Sequence, residues 1–189
     1  MPEEEHERRF HGEADRLRSP ERLDRLEVDR VVTLATEGLA APRVLDIGTG
    51  SGVFAEAFAG KGFPVVGIDV NRSLLEVARR LVAGVEFREA VAETIPYGDR
   101  SFDVAFLGHV LHEADDPLAA LREARRVATR RVVVLEWPYV QEEHGLPLEH
   151  RLKAEKIEEL AMRAGLGMVE HLKLTHMDLY RMDPKGESE

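Results

Sequence analysis

Apolar positions along this chain change spacing in a regular alternation. Short, nearly continuous apolar runs read as strands at 43–48, 64–69, 84–88, 102–108 and 131–137. Between them, apolar residues recur every three to four positions, which predicts helices over 52–60, 72–83, 116–129 and 151–164. Ser19-Pro20 reads as a helix start, with the serine as cap and the proline in the first turn, and Leu23, Leu26, Val31 and Leu34 carry one helix on to Gly38. Strands that alternate with helices imply a parallel sheet, because each parallel return needs a crossover. Val132 to Leu135 carries no polar residue and reads as a strand covered on both faces. After Gly165, the stretches 167–174 and 176–182 are expected to close the sheet as an antiparallel hairpin. The expected fold is therefore α/β, a doubly wound and mostly parallel seven-stranded sheet with helices on both faces and a C-terminal antiparallel hairpin. No repeat or linker divides the chain. Residues 1–40 are assigned to N-terminal helices that form part of a lid, 41–183 to the main domain and 184–189 to a loose tail.

The first strand carries the chemistry. Val44-Leu-Asp-Ile-Gly-Thr-Gly-Ser-Gly52 places an acid, Asp46, in an apolar strand and then breaks into three glycines. A buried carboxylate costs several kcal/mol unless it is paired, so its presence points to a cationic ligand or a ring of backbone donors. Gly48, Gly50 and Gly52 let the backbone turn and approach a ligand with no Cβ in the way. The pyrophosphate fingerprint of dinucleotide enzymes is Gly-x-Gly-x-x-Gly; here the third glycine comes one position early and Val53 takes the sixth place. No Tyr-x-x-x-Lys pair accompanies it. These departures disfavour an NAD-dependent oxidoreductase, and a carboxylate at Asp46 suits the ammonium of an amino acid better than a diphosphate.

Residues 46–52 match the Asp-x-Gly-x-Gly-x-Gly motif of the class I S-adenosylmethionine-dependent methyltransferases, and the chain resembles the small-molecule, ubiquinone/menaquinone-methylase-like branch of that family. Three further segments carry the likeness. Val65 to Ile68 ends in Asp69, placed to accept hydrogen bonds from ribose hydroxyls at the tip of the second strand; capping of the next helix by Asp69 or Asn71 is compatible with that role. Ala92-Glu-Thr-Ile-Pro-Tyr97 followed by Asp99 to Phe106 resembles the family's adenine loop and fourth strand, although Val91 stands where relatives carry an acid. Leu107-Gly-His-Val-Leu-His-Glu-Ala-Asp-Asp-Pro117 resembles the stretch that faces the transferable methyl.

The resemblance implies a Rossmann-like methyltransferase fold, S-adenosyl-L-methionine as cofactor, and methyl transfer to an O, N or C atom of a small-molecule acceptor. It implies that Asp46 orients the methionine ammonium, that Gly48, Thr49, Gly50 and Gly52 admit the amino-acid portion, that Asp69 holds the ribose, and that Val70, Ala92 and Glu93 flank the adenine. His109 is the candidate general base, with a wall role as its alternative; His112, Trp137 and Tyr139 are expected to line the acceptor. Glu136-Trp-Pro-Tyr139 is similar to the Asn/Asp-Pro-Pro-Tyr motif of amino-methylating enzymes, but it follows the fifth strand instead of the fourth and reads as a strand end with aromatics near the pocket. A cofactor-binding subunit that no longer catalyses remains the main alternative function.

Composition narrows the partners. A net charge of −10, with arginines interspersed among glutamates, argues against a nucleic-acid substrate. No run approaches the roughly 18 apolar residues of a membrane span. The acidic beginning is unlike a secretory signal, so a cytoplasmic protein is expected. The absence of cysteine removes thiolate zinc sites and cysteine nucleophiles, and the eight histidines show no ligand spacing beyond His109 and His112, so no metal is expected. The loop 138–150 and the first helices, around Phe10, His11 and Arg16, are expected to form a small lid, with a second subunit in a homo-oligomer as the other means of closing the pocket.

Overall fold

The computed structural model describes residues 14–142 and 145–184. Three short helices, α1 (Ala14–Leu17), α2 (Pro20–Leu26) and α3 (Val28–Thr36), precede the alternating unit β1 (Val44–Ile47), α4 (Val53–Gly60), β2 (Val65–Asp69), α5 (Arg72–Leu81) and β3 (Glu86–Glu89). Then come β4 (Phe102–Gly108), α6 (Pro117–Val127), β5 (Ala128–Glu136), a 3-10 turn at Leu148–His150, α7 (Ala154–Arg163), β6 (Gly167–Lys173) and β7 (Asp178–Asp183). The sheet order is β3-β2-β1-β4-β5-β7-β6. All pairings are parallel except β5 with β7 and β6 with β7, so the expected closing hairpin is present.

Side-chain alternation divides the core into two layers. Leu45, Ile47, Ala105, Leu107, Val132 and Val134 pack beneath α6 and α7, whereas Val44, Val104, Phe106, Val133 and Leu135 meet α3, α4 and α5. Every residue of β1 is buried, as a central parallel strand covered on both faces requires. The strand order reverses between β1 and β4, and such a switch point opens a crevice at the carboxyl ends of the strands.

Most element ends shift by one to three residues from the sequence reading, and two differences have a clear physical cause. The single helix expected from Pro20 to Gly38 is broken at Glu27, which adopts a left-handed conformation with φ 47°. Its carboxylate accepts hydrogen bonds from the Thr175 backbone N–H at 2.7 Å and from Arg30 at 2.8 Å, anchoring the break to the β6–β7 turn. The break lets α3 lie on the sheet while α2 reaches over the strand ends. Helix α6 also stops at Val127 instead of 129, because Ala128 already pairs with Phe102 and starts β5 three residues early. Among the described residues no helix is long and apolar enough to cross a membrane.

Candidate active site

A cavity of about 790 Å³ opens at the switch point, within the ~300–1,000 Å³ typical of small-molecule sites. Its wall brings together segments far apart in sequence: the glycine loop, the end of β2, the loop after β3, the end of β4, Trp137 after β5, residues of α1 and α2, and Gly145 to Pro147.

The glycine loop is shaped by what lies behind it. Gly48 has φ +67°, and a Cβ there would sit 2.3 Å from Val110 Cγ2, so the loop after β4 leaves no room for any other residue. At Gly50 a Cβ would meet only Leu17 Cδ1, at 3.6 Å, on the cavity side. Asp69 ties this loop to the next helix: Oδ2 accepts the Gly50 N–H at 2.7 Å and Oδ1 accepts the Asn71 N–H at 2.8 Å. The cap of α5 is Asn71, whose side chain accepts the Leu74 N–H. Asp69 itself lines the cavity, and burial raises its pKa above the ordinary carboxylate value against the pull of its backbone donors.

Asp46, Thr49 and Gly52 stand behind the cavity wall. Asp46 is buried and accepts the Thr49 hydroxyl at 2.7 Å. Burial pushes its carboxyl up to about 7. Gly52 faces the side chains of Val82, Ala78 and Phe87, so its missing Cβ serves the contact between α4 and α5. Val70, Leu74, Val91, Ala92 and Glu93 do line the cavity and form a mainly apolar slot beside Asp69. Glu93 also accepts the Asp116 N–H at 3.3 Å, just before α6.

Across from Asp69, three aromatic side chains converge. His109 follows β4 with φ 60°, held there by its N–H donating to the Leu135 carbonyl at 2.8 Å. Its ring lies 5.1 Å from Trp137 and 6.3 Å from His112, and among the described residues neither ring nitrogen has a partner. Desolvation holds its pKa down at about 3, so it stays neutral at physiological pH. His112 is the opposite case: its Nδ1 meets Glu136 Oε2 at 2.7 Å, and its Nε2 is 3.6 Å from Glu113 Oε1. Although burial opposes the charge, the attraction of Glu136 and Glu113 pushes His112 up to about 10. Glu136 is correspondingly held below the usual carboxylate value by His112, despite its own burial.

The roof is partly the expected one. Arg16 lines the cavity, joined by Leu17, Ser19, Glu21, Arg22 and Arg25; Phe10 and His11 lie outside the described residues. In the loop after β5, Trp137 lines the cavity but Tyr139 does not; Tyr139 is 42% exposed, with its ring beneath Lys153. Arg151 stands out by no motif or spacing along the chain. Its buried guanidinium donates to the carbonyls of Leu146, Pro138 and Val140 and to Glu142, and it lies 5.3 Å from the Trp137 ring centroid.

Residues 45–135, from β1 through β5, match the family model of a methyltransferase domain. A demethylmenaquinone methyltransferase of Chlorobaculum tepidum is 36% identical over 92 residues, 48% of this chain and 38% of that protein. Residues 45–135 thus carry a methyltransferase domain.

A ubiquinone/menaquinone biosynthesis C-methyltransferase of Desulfotalea psychrophila is 31% identical over 159 residues, covering 75% of this chain and 64% of the relative. The chain thus spans less than two thirds of the length of either protein. The crystal structure of an S-adenosylmethionine-dependent methyltransferase from Aquifex aeolicus superposes with a TM-score of 0.78 at 23% identity, over 89% of this chain and 95% of that one, and shares its fold. The crevice fits S-adenosylmethionine: a carboxylate at the end of β2, an apolar slot beside it, and a loop where a Gly50 Cβ would meet nothing nearer than Leu17 Cδ1 at 3.6 Å. The residues that sequence reasoning undervalued are Glu136, which stood inside a motif at the wrong strand, and Arg22 and Arg151, for which spacing carried no signal.

Proposed function

We propose that this chain catalyses transfer of a methyl group from S-adenosylmethionine to a small-molecule acceptor. One observation carries the reading: a single cavity joins the Asp69 and glycine-loop crevice to the wall made by His109, His112 and Trp137. The relatives named as demethylmenaquinone and ubiquinone/menaquinone methyltransferases support a small-molecule acceptor.

Asp69 holds the ribose: each carboxylate oxygen already accepts one backbone N–H and keeps a second lone pair for a hydroxyl. Gly48 and Gly50 admit the amino-acid portion, and Val70 and Ala92 flank the adenine with Glu93 at its edge. Asp46, Thr49 and Gly52 act from behind, as supports of the loop. Bound in this crevice, S-adenosylmethionine supplies an electrophilic methyl group. His109 and Trp137 then form the wall against which the acceptor is aligned and kept dry, and alignment of this kind can supply up to roughly 7–11 kcal/mol of the barrier. His109 acts as a neutral hydrogen-bonding group; at about 3 its pKa is too low for it to hold an abstracted proton. Residues 41–183 form the catalytic unit, with the helices before it and residues 145–147 as its lid.

Isothermal calorimetry with S-adenosylhomocysteine and with NAD, followed by tritiated methyl transfer to a panel of acceptors, tests the proposal. Binding of adenosylhomocysteine with turnover of at least one acceptor is expected. Binding without turnover across the panel would favour a silent cofactor-binding subunit, and preference for NAD would overturn the reading altogether.

A further inference from the structure

We propose that His112, fixed by Glu136, is an oxyanion-binding residue, so that the acceptor is an oxygen acid taken up in its ionised form: a phenolate, an enolate or a carboxylate. The inference rests on the methyl-transfer reading and adds the chemical class of the acceptor to it.

The geometry separates the two ring nitrogens of His112. Glu136, the last residue of β5, holds the imidazole at Nδ1 and accepts the His112 backbone N–H with its other oxygen at 3.3 Å. Both side chains are almost fully buried, at 3% and 2% exposure, so this carboxylate has no water to neutralise it and needs a cation beside it. Nδ1–H is therefore committed, which sets the ring orientation. Nε2 is different. Among the described residues its ion-pair neighbour is Glu113 at 3.6 Å, beyond good hydrogen-bond distance, and that side chain is 29% exposed and able to swing away. An acceptor oxygen entering the cavity can take the Nε2–H in its place.

The charged and titratable groups around His112 are Glu136 from β5, Glu113 and His109 from its own loop, and Arg22 from α2. Arg22 lines the same cavity and feels Glu113, so a second cation stands by Glu113 when it leaves His112. The high proton affinity of His112 keeps it an imidazolium at neutral pH, while His109 remains neutral. Neither histidine is thus set up to remove and keep an acceptor proton. An acceptor that has already lost its proton to water on entering needs no such base. The oxyanion's electron pair, directly through oxygen or through a conjugated carbon, forms the new bond to the methyl carbon as the sulfur–carbon bond breaks and its pair stays on sulfur. In the carbon case a ring proton is then lost to water. A sulfonium and an anion become two neutral groups, a change favoured in a site closed to solvent.

The test uses 4-nitrophenol, whose two protonation states absorb at different wavelengths, titrated across pH against the whole protein with and without S-adenosylhomocysteine. Wild type is expected to bind the phenolate at least about tenfold more tightly than the phenol, the effect of one pKa unit from a neighbouring cation. His112→Gln should abolish that preference. In Glu136→Gln the preference should be present at acid pH and lost as pH rises through the neutral range, with the His112 imidazole resonances titrating in parallel by NMR. Equal binding of both forms, preference for the phenol, no binding of the probe, or wild-type His112 titrating near 6.5 would each overturn the inference. Should both variants fail to fold, the wild-type preference and the wild-type His112 titration decide alone. Adenosylhomocysteine binding without phenolate preference removes only this inference, whereas phenolate preference without adenosylhomocysteine binding removes the methyl-transfer reading.

Discussion

The Asp69 carboxylate accepts the Gly50 N–H at 2.7 Å, so the acid at the tip of β2 and the glycine loop after β1 form one rigid edge of the cavity. Replacing Asp69 by alanine removes the ribose acceptor and the tie to the loop together. Affinity for S-adenosylhomocysteine should fall by about 1–3 kcal/mol, the range for losing a hydrogen bond to a charged group and leaving its donor unpaired. Calorimetry reads this directly, and an unchanged dissociation constant would remove Asp69 from the site.

His109 offers a sharper choice between two roles. A general base would contribute about 10²–10⁴-fold to the rate. Neutral hydrogen bonding is worth about 0.5–1.5 kcal/mol, or roughly two- to twelvefold. With its pKa held near 3 by burial, His109→Ala should reduce kcat/KM within the smaller range, and the wild-type rate should show no His109 titration between pH 5 and 8. Steady-state rates across that pH interval check both statements; a hundredfold loss would restore the base.

Asp46 predicts a pH dependence of stability rather than of binding. Its carboxyl is pushed up from 3.8 to about 7 by burial, so the folded protein holds this proton more tightly than the unfolded chain. The stability it contributes is fully present below pH 3.8 and is lost as pH rises through about 7. Asp46→Asn keeps an acceptor for the Thr49 hydroxyl without the titration. The variant should therefore gain on wild type in thermal melts as pH rises from 4 to 7, with adenosylhomocysteine affinity changed less than about threefold, under 1 kcal/mol. A large loss of affinity would return Asp46 to direct cofactor contact.

Arg151 gathers three carbonyls and a carboxylate from the loop after β5. Arg151→Met keeps the stem and removes every donor. Losing even one hydrogen bond from a charged donor costs about 1.5–3 kcal/mol, enough to raise the open population of the loop roughly tenfold or more. Limited proteolysis within 138–150 should accelerate by at least that factor. Acceptor KM should rise, because Leu146 and Pro147 lose their position on the cavity wall, while cofactor affinity stays near that of wild type. Equal proteolysis rates would show that other contacts hold the loop.

The chain's own order of residues determined the alternation of strands and helices, the family resemblance and the Asp69 corner of the cavity, because each of these rests on local spacing or on residues adjacent in sequence. The tertiary structure decided what depends on long-range partners. The break at Glu27 is set by Thr175, 148 residues away, and helical periodicity runs through it unmarked. His109 and His112 are both buried, but Glu136 hydrogen-bonds only the second ring, across the β4–β5 pairing, so desolvation keeps His109 neutral while His112 holds its proton. Asp46 looked like a ligand for a cation when read along the strand, but strand register and the turn of the loop hand its carboxylate to Thr49. Burial and charge pairing are properties of neighbours in space, and those neighbours exist only once the sheet has formed.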